Sequence, residues 1–429
     1  MRREMRFKVI KQGVLSTVLA LGLSIPAFSQ FSLNSLIDSA TQNYPGLNQR
    51  ILSSNVKQNS ISALNKRYLP NISINAQGSW QSDVTTLPIS LPMVKLPEMP
   101  HDSWKAQLEV QQIIFDGGSI QNQKEMASNQ NLLDDNSLSS ELWQLTSQVT
   151  DLYYSYFIMN SANEQLNATK AVLKERYKIY LTSAKFGSSS DEEGLILNAE
   201  MLKIDQQVKE NTETNEGIIN ALEVLTGVHS ISLATPDAKS TIPVSFSIEN
   251  QRPELARFDL LQQRFELNIK NRQAVKMPQV GAFIQTGYGR PGLNMLNTDF
   301  DFFAMIGVKA SWNLWDWGIT RKDKSVLSIQ KDMINYQREV YNQRINSQSE
   351  QLKSEVEKFN ASILLDQQQI ELRQQIANIA TLKFDEGVMN AADLVARLND
   401  VAISKIQYQL HLIRLQQTIV KYKQLFGQK

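Results

Sequence analysis

The 429-residue sequence predicts a mixed α/β membrane protein built from a duplicated unit of two strands and two long helices. Three observations carry that expectation. Short marker sequences recur at constant spacing, four stretches alternate apolar and polar residues, and long runs free of proline and glycine follow each pair of stretches.

The duplication is read from markers that keep their order. "NYPGL" at 43–47 is matched by "QRPEL" at 251–255, so that Pro45 and Pro253 stand 208 residues apart. "YLPNI" at 68–72 and "KMPQV" at 276–280 give 208 again. "IIFDGGSIQNQK" at 113–124 and "NLWDWGITRKDK" at 313–324 place Asp116 and Asp316 200 apart, as do "LTG" at 225–227 and "LFG" at 425–427. Two collinear repeats, 30–227 and 251–429, account for all four pairs with one length change of eight residues between Pro70 and Asp116. Residues 228–250 are left as a short linker.

Ahead of the repeats, residues 1–29 read as an export signal. Five basic residues precede an apolar run from Val14 to Ile25, and Ala27-Phe28-Ser29 suits cleavage before Gln30. That segment holds five of the 44 Lys and Arg but one of the 43 Asp and Glu, so its loss leaves a slightly negative chain. No basic excess remains for a nucleic-acid partner.

The strand stretches are expected at about 71–81, 104–115, 279–289 and 302–314. Ile72, Ile74, Ala76 and Trp80 fall on one face of the first, against Asn71, Ser73, Asn75 and Gln77. Trp104, Ala106, Leu108 and Val110 oppose Lys105, Gln107, Glu109 and Gln111 in the second. Val280, Ala282, Ile284 and Tyr288, then Phe302, Ala304, Ile306 and Val308, repeat the pattern, with Gln285 and Lys309 on the wet side. Period two over about ten residues gives a strand with one apolar and one polar face. It fits either a soluble hairpin on a core or a barrel wall in a membrane, where aromatics gather at the interfaces. Four strands cannot close a barrel, so in a membrane several chains must share one.

The helices are expected at about 119–186, 191–226, 319–384 and 390–426. Leu138, Leu145, Leu152, Met159, Leu166, Leu173 and Tyr180 keep a seven-residue repeat, joined by Leu142, Val149 and Tyr156. In the second repeat Val326, Met333 and Val340, then Val356, Ile363 and Ile370, take the same role. Such lines read as packing between helices. Where strand gives way to helix, Asp116 with Gly117 and Asp316 with Gly318 read as helix caps at a change of direction.

No motif carries chemistry. The chain has no cysteine, which excludes a disulfide framework and thiolate sites, and His101, His229 and His411 share no ligand spacing. Gly287, Gly289 and Gly292 spell GxGxxG, yet Pro291 interrupts it and no helix follows, so it reads as a loop. The expectation is a protein without catalytic residues, metal or cofactor.

With these residues in view, the chain resembles the TolC-like outer-membrane efflux proteins, the outer membrane factors. The "NYPGL" and "RPEL" starts, the "FDGG" and "WDWG" junctions, the "LTG" and "LFG" ends and the element order carry the resemblance. It implies a homotrimer in which each chain gives four strands to a 12-stranded outer-membrane barrel, continued by an α-helical coiled-coil barrel across the periplasm. It implies an exit duct for a tripartite efflux or secretion system, with a periplasmic adaptor protein and an inner-membrane transporter as partners. The periplasmic gate would lie at the helix turns. Phe384, Gly387 and Asp393 match the family's aromatic, glycine and constricting aspartate, and Met389 falls where an arginine is often found. Phe186, Gly187, Asp191, Glu192 and Glu193 mark the other turn, expected to face the adaptor. A periplasmic or secreted helical scaffold with two soluble hairpins is the alternative.

Overall fold

The computed structural model describes residues 30–84, 99–185, 191–236, 246, 248–294, 297–386, 388–389 and 391–428, with the backbone alone at 191, 193, 391 and 392. The export signal, Phe186, Gly187 and Gly387 lie outside the described residues, as do the side chains of Asp191 and Glu193.

In chain order the elements are β1 (Gln30–Phe31), α1 (Leu33–Asn43), α2 (Leu47–Lys66), β2 (Asn71–Trp80), β3 (Asp102–Phe115), α3 (Ser119–Lys185) and α4 (Asp191–Thr226). Then come β4 (Ser232–Leu233), α5 (Pro253–Val275), β5 (Gln279–Arg290), β6 (Asp301–Ser311), α6 (Ile319–Asp385) and α7 (Ala391–Leu425). No described helix is long and apolar enough to cross a membrane.

The chain divides into two compact units, and these are not the two sequence repeats, since each takes segments from both. One comprises Met1–Asn43, Val149–Thr241 and Asp366–Arg414. Its buried apolar residues include Leu36, Ile37 and Ala40 of α1, which lies against α4, Leu222 of α4, and Val149, Tyr153, Tyr154 and Phe157 of α3. Part of the linker is ordered here. β1 and β4 form a short parallel pair, and the Tyr153 hydroxyl donates to the Ala234 carbonyl at 2.6 Å. Burial pushes the Tyr153 phenol up to about 12.

The other unit comprises Tyr44–Gln148, Ile242–Leu365 and Leu415–Lys429. It holds a four-stranded antiparallel sheet in the order β2-β3-β5-β6. Its helical core sets Val356 and Phe359 of α6 against Leu415 and Ile419 of α7, with Ile363 alongside. The Tyr422 hydroxyl donates to the Phe246 carbonyl at 2.9 Å, and the Trp143 indole to that of Gln424 at 3.1 Å.

Two expectations are corrected in this unit. β6 ends at Ser311 rather than 314, because its partner β5 begins only at Gln279, opposite Ser311. The stripe Val326, Met333 and Val340 was expected to be packed. It is exposed in the single chain, whereas Val356 farther along the same helix is buried.

Candidate functional site

The sheet is the first candidate surface. Antiparallel pairing puts directly opposed residues on one face. One row runs Ile72, Val110, Ile284, Ile306 across all four strands, and the next runs Ile74, Leu108, Thr286, Ala304. The opposite face carries the row Ser73, Glu109, Gln285, Met305. Ile74, Leu108, Ile284 and Ile306 therefore share a face, and Asn75, Glu109, Gln285 and Lys309 share the other. The apolar face is bare: Ile74 and Ile306 are each 79% exposed. An apolar surface of this extent in water would be strongly unfavourable, which marks it as a face for lipid or protein.

On the polar face, the Glu109 carboxylate accepts from Gln111 at 2.7 Å, Gln285 at 2.8 Å and Asn75 at 3.2 Å. It borders a cavity of about 510 Å³ that Arg67, Asn71, Gln285, Lys309 and Ser311 also line. The alternation gave no sign of Phe283 and Phe303 on this face. Each lies across a glycine of the neighbouring strand, Phe283 over Gly307 and Phe303 over Gly287. A Cβ on either glycine would come 2.7 Å from the ring. Two of the three GxGxxG glycines, Gly287 and Gly289, thus sit inside β5 as strand residues.

The junctions are the second surface. Asp116 Oδ1 accepts from the Gly118 amide at 3.0 Å and Oδ2 from the Ile120 amide at 2.5 Å. Asp316 repeats this with Gly318 at 3.1 Å and Thr320 at 3.0 Å, and the Thr320 hydroxyl bonds the same carboxylate. Both aspartates cap the free amides of a long helix, as expected of that residue at that place. The third partner differs. Tyr68 donates its hydroxyl to Asp116 at 3.4 Å, whereas Lys276, 208 residues on, makes an ion pair with Asp316 at 3.5 Å. The Thr320 hydroxyl, then the Thr320 and Gly318 amides and Lys276, hold the Asp316 carboxyl well below the usual carboxylate range. Gly117 has φ +72° and Gly118 φ +88°; in the second repeat Trp317 itself takes φ +53°, followed by Gly318 at +82°.

The turn between α6 and α7 is the third. Phe384 lies in the last turn of α6 and Asp393, exposed, in the first turn of α7. Between them the Val388 and Met389 amides donate to the Lys383 carbonyl at 2.8 and 3.2 Å. Met389 is half-buried and Val388, which no motif marks, is strongly exposed. Farther back Arg373 pairs with Asp400 at 2.7 Å and Arg397 joins at 3.6 Å, bracing α6 against α7. At the other turn Glu192 is exposed in the first turn of α4.

Residues 14–216 match the family model described as outer membrane efflux protein. Among solved structures the chain is similar to the outer membrane protein VceC of Vibrio cholerae, at 15% identity over 92% of this chain and 96% of that one, with a TM-score of 0.65. It is similar to the CmeC outer membrane channel of Campylobacter jejuni, at 15% identity over 92% and 85%, TM-score 0.61. The open state of the MtrE outer membrane channel of Neisseria gonorrhoeae gives 17% identity over 92% and 89%, TM-score 0.60. No curated protein matches by sequence. A bare apolar strand face, capped junctions into long helices and the match over residues 14–216 agree: the chain is similar to the outer membrane efflux proteins and shares the fold of these outer membrane channels.

Proposed function

We propose that the protein is the exit duct of a tripartite efflux or secretion system, passing small molecules or polypeptides from the periplasmic side to the outside. The observation that carries this is the four-stranded sheet with one apolar and one polar face and no in-chain partner on the outer edge of β2 or β6 among the described residues. Backbone amides and carbonyls on an open edge are not tolerated in lipid. The sheet must close on further copies, and three copies give a 12-stranded barrel with the apolar face to lipid and the Glu109 face to the lumen. The helices continue this wall on the periplasmic side, where an adaptor protein and an inner-membrane transporter would dock. The first helix turn, with Phe186, Gly187, Asp191, Glu192 and Glu193, is assigned to adaptor contact.

The α6–α7 turn is assigned to the gate, with Phe384, Gly387, Met389 and Asp393. Threefold symmetry would gather three Asp393 carboxylates about one axis, and a ring of like charge in a narrow pore concentrates cations. Phe384 and Met389 add apolar side chains at the same turn. Planar-bilayer recording of detergent-purified protein tests both levels. The expected result is a trimeric channel selective for cations, with Asp393→Asn weakening that selectivity and leaving assembly intact. A non-conducting monomer would overturn the duct, and unchanged selectivity in Asp393→Asn would overturn the gate.

A further inference from the structure

The two junctions can be compared residue by residue. The Gln112 side chain donates to the Tyr68 carbonyl at 3.3 Å, and the equivalent Trp312 indole donates to the Lys276 carbonyl at 3.1 Å. In the first repeat the side chains beside this carbonyl satisfy one another. The Lys124 ammonium lies over the Tyr68 ring, 5.6 Å from its centroid, and Gln121 donates to Glu125 at 3.2 Å. Lys124 and Glu125 together leave no net charge.

In the second repeat three of these four positions differ, all in one direction. Tyr68 corresponds to Lys276, Gln121 to Arg321 and Glu125 to Ser325, while Lys124 corresponds to Lys324. A neutral place has become one with three cations. They line a cavity of about 510 Å³ between α5 and α6, together with Ser325 and Ser328. That volume is typical of a small-ligand cleft. No described acidic residue lines it. Of the three cations, Lys276 is the one with an ion pair among the described residues, to Asp316 at 3.5 Å. Acids elsewhere on the two helices have their own partners: Asp323 pairs with Arg272 at 3.8 Å and Glu266 with Lys331 at 2.6 Å. Cations gathered in a cleft without a counter-ion repel one another, and a bound anion relieves that repulsion.

The position of the cavity says which anion. It lies where the apolar face of the sheet stops: Gln279 and Ser311 are the last pair of β5 and β6, and Lys276 is three residues before the first of them. Trp312, Leu314, Trp315 and Ile319 are all exposed beside it. Tryptophan favours the level of lipid headgroups, where its ring meets apolar groups and its N–H polar ones. The Trp312 bond to Lys276 ties that level to the cavity. A ligand that places an anion among these cations and hydrocarbon against these apolar side chains is a phospholipid.

We propose that the α5–α6 cavity binds the phosphate of an anionic phospholipid in the leaflet nearest the long helices. Arg321 and Lys324 are its charged contacts, with Lys276 shared between the phosphate and Asp316. A guanidinium matches phosphate oxygens two at a time, and Ser325 and Ser328 bring hydroxyl donors. A choline headgroup would carry its own cation toward three others, so a headgroup of net negative charge is preferred. The site rests on the reading of the sheet as a membrane wall.

The test counts bound lipid by native mass spectrometry on the full chain, delipidated in a non-ionic detergent and titrated with phosphatidylglycerol or phosphatidylcholine. Phosphatidylglycerol should bind about tenfold more tightly than phosphatidylcholine. Each basic residue near an anionic lipid surface is worth roughly fivefold, so Arg321→Gln with Lys324→Gln should weaken phosphatidylglycerol about 25-fold. Either single variant, at about fivefold, carries the test if the pair does not fold. Lys322→Gln removes an α6 cation that does not line the cavity and should leave binding nearly unchanged. Equal losses in Lys322→Gln and in Arg321→Gln or Lys324→Gln, or no preference between the lipids, overturn the site. Inorganic phosphate that displaces phosphatidylglycerol at equal concentration overturns the lipid as occupant. In either case a wild type that still conducts in planar bilayers leaves the duct standing. A wild type that neither inserts nor conducts overturns the duct and the site together.

Discussion

The orientation of the sheet in the membrane can be tested with one strand. Ile306 is the central residue of β6, five residues from Asp301 and five from Ser311. At about 3.3 Å per residue and a tilt near 40°, five residues cover about 13 Å of depth, half of an apolar band about 25 Å tall. Ile306 therefore sits near the midplane. It belongs to the row Ile72, Val110, Ile284, Ile306, and 79% of it is exposed in the single chain. Arginine on the lipid face at that depth costs about 2–4 kcal/mol per chain. At 1.36 kcal/mol per factor of ten, that is roughly a 30- to 1,000-fold loss in the folding equilibrium. The control is Met305→Arg, the adjacent residue on the polar face, beside Gln285 and in the row of Glu109. Its depth is nearly the same but its surroundings are water and a carboxylate. Urea-dependent insertion into phosphatidylcholine vesicles, followed by tryptophan fluorescence, reads the equilibrium for both. Ile306→Arg should fail to insert at urea concentrations where Met305→Arg still folds. Equal midpoints, or the reverse order, would refute the assignment of the two faces.

Two further outcomes concern the junctions. The bonded Asp316 carboxylate titrates below its unfolded value of about 3.9, so it contributes stability that is complete above that pH and lost as pH falls through the folded value. Apparent melting temperature measured from pH 6 downward should drop more steeply below about pH 4 in the wild type than in Asp316→Asn, and parallel curves would exclude the linkage. Gly117→Ala should destabilise more than Gly118→Ala. Both take a side chain into a left-handed backbone, at about 1–2 kcal/mol, but only at 117 does the new Cβ run into the Ala274 carbonyl, while 118 has nothing within 4 Å. Equal melting temperatures for the two would remove Gly117 from that contact.

The faces of the sheet were legible because a strand's side-chain period is fixed at two, and a partner strand cannot change which residues share a side. The caps were legible because an aspartate before a helix has free amides to satisfy, whatever surrounds it. What periodicity does not report is which surface covers an apolar line. Val356 and Val326 lie on one helix and belong to similar stripes, yet α7 covers the first and the second is exposed among the described residues. The end of β6 is hidden in the sequence for a related reason. Alternation continues to Leu314, but a strand ends where its partner does, and β5 starts at Gln279. Phe283 and Phe303 break the alternation because each is accommodated by a glycine on another strand, a pairing that only register reveals. The helix turns were the least legible part. Their expected residues rest on motif correspondence, and the bracing pair Arg373–Asp400 joins positions 27 residues apart that no local pattern links.

The differences between the two junctions follow from where each one sits. If the repeats were interchangeable, the same residues would serve at both junctions. The offset positions show otherwise. Gly117 lies under the carbonyl of Ala274, where no Cβ fits, so glycine is required there. Trp317, at the equivalent place, is exposed among the described residues. A left-handed backbone costs a bulky residue about 1–2 kcal/mol, so tryptophan at φ +53° needs a compensating contact. The Trp315 ring, edge-on with centroids 5.9 Å apart, is one such contact.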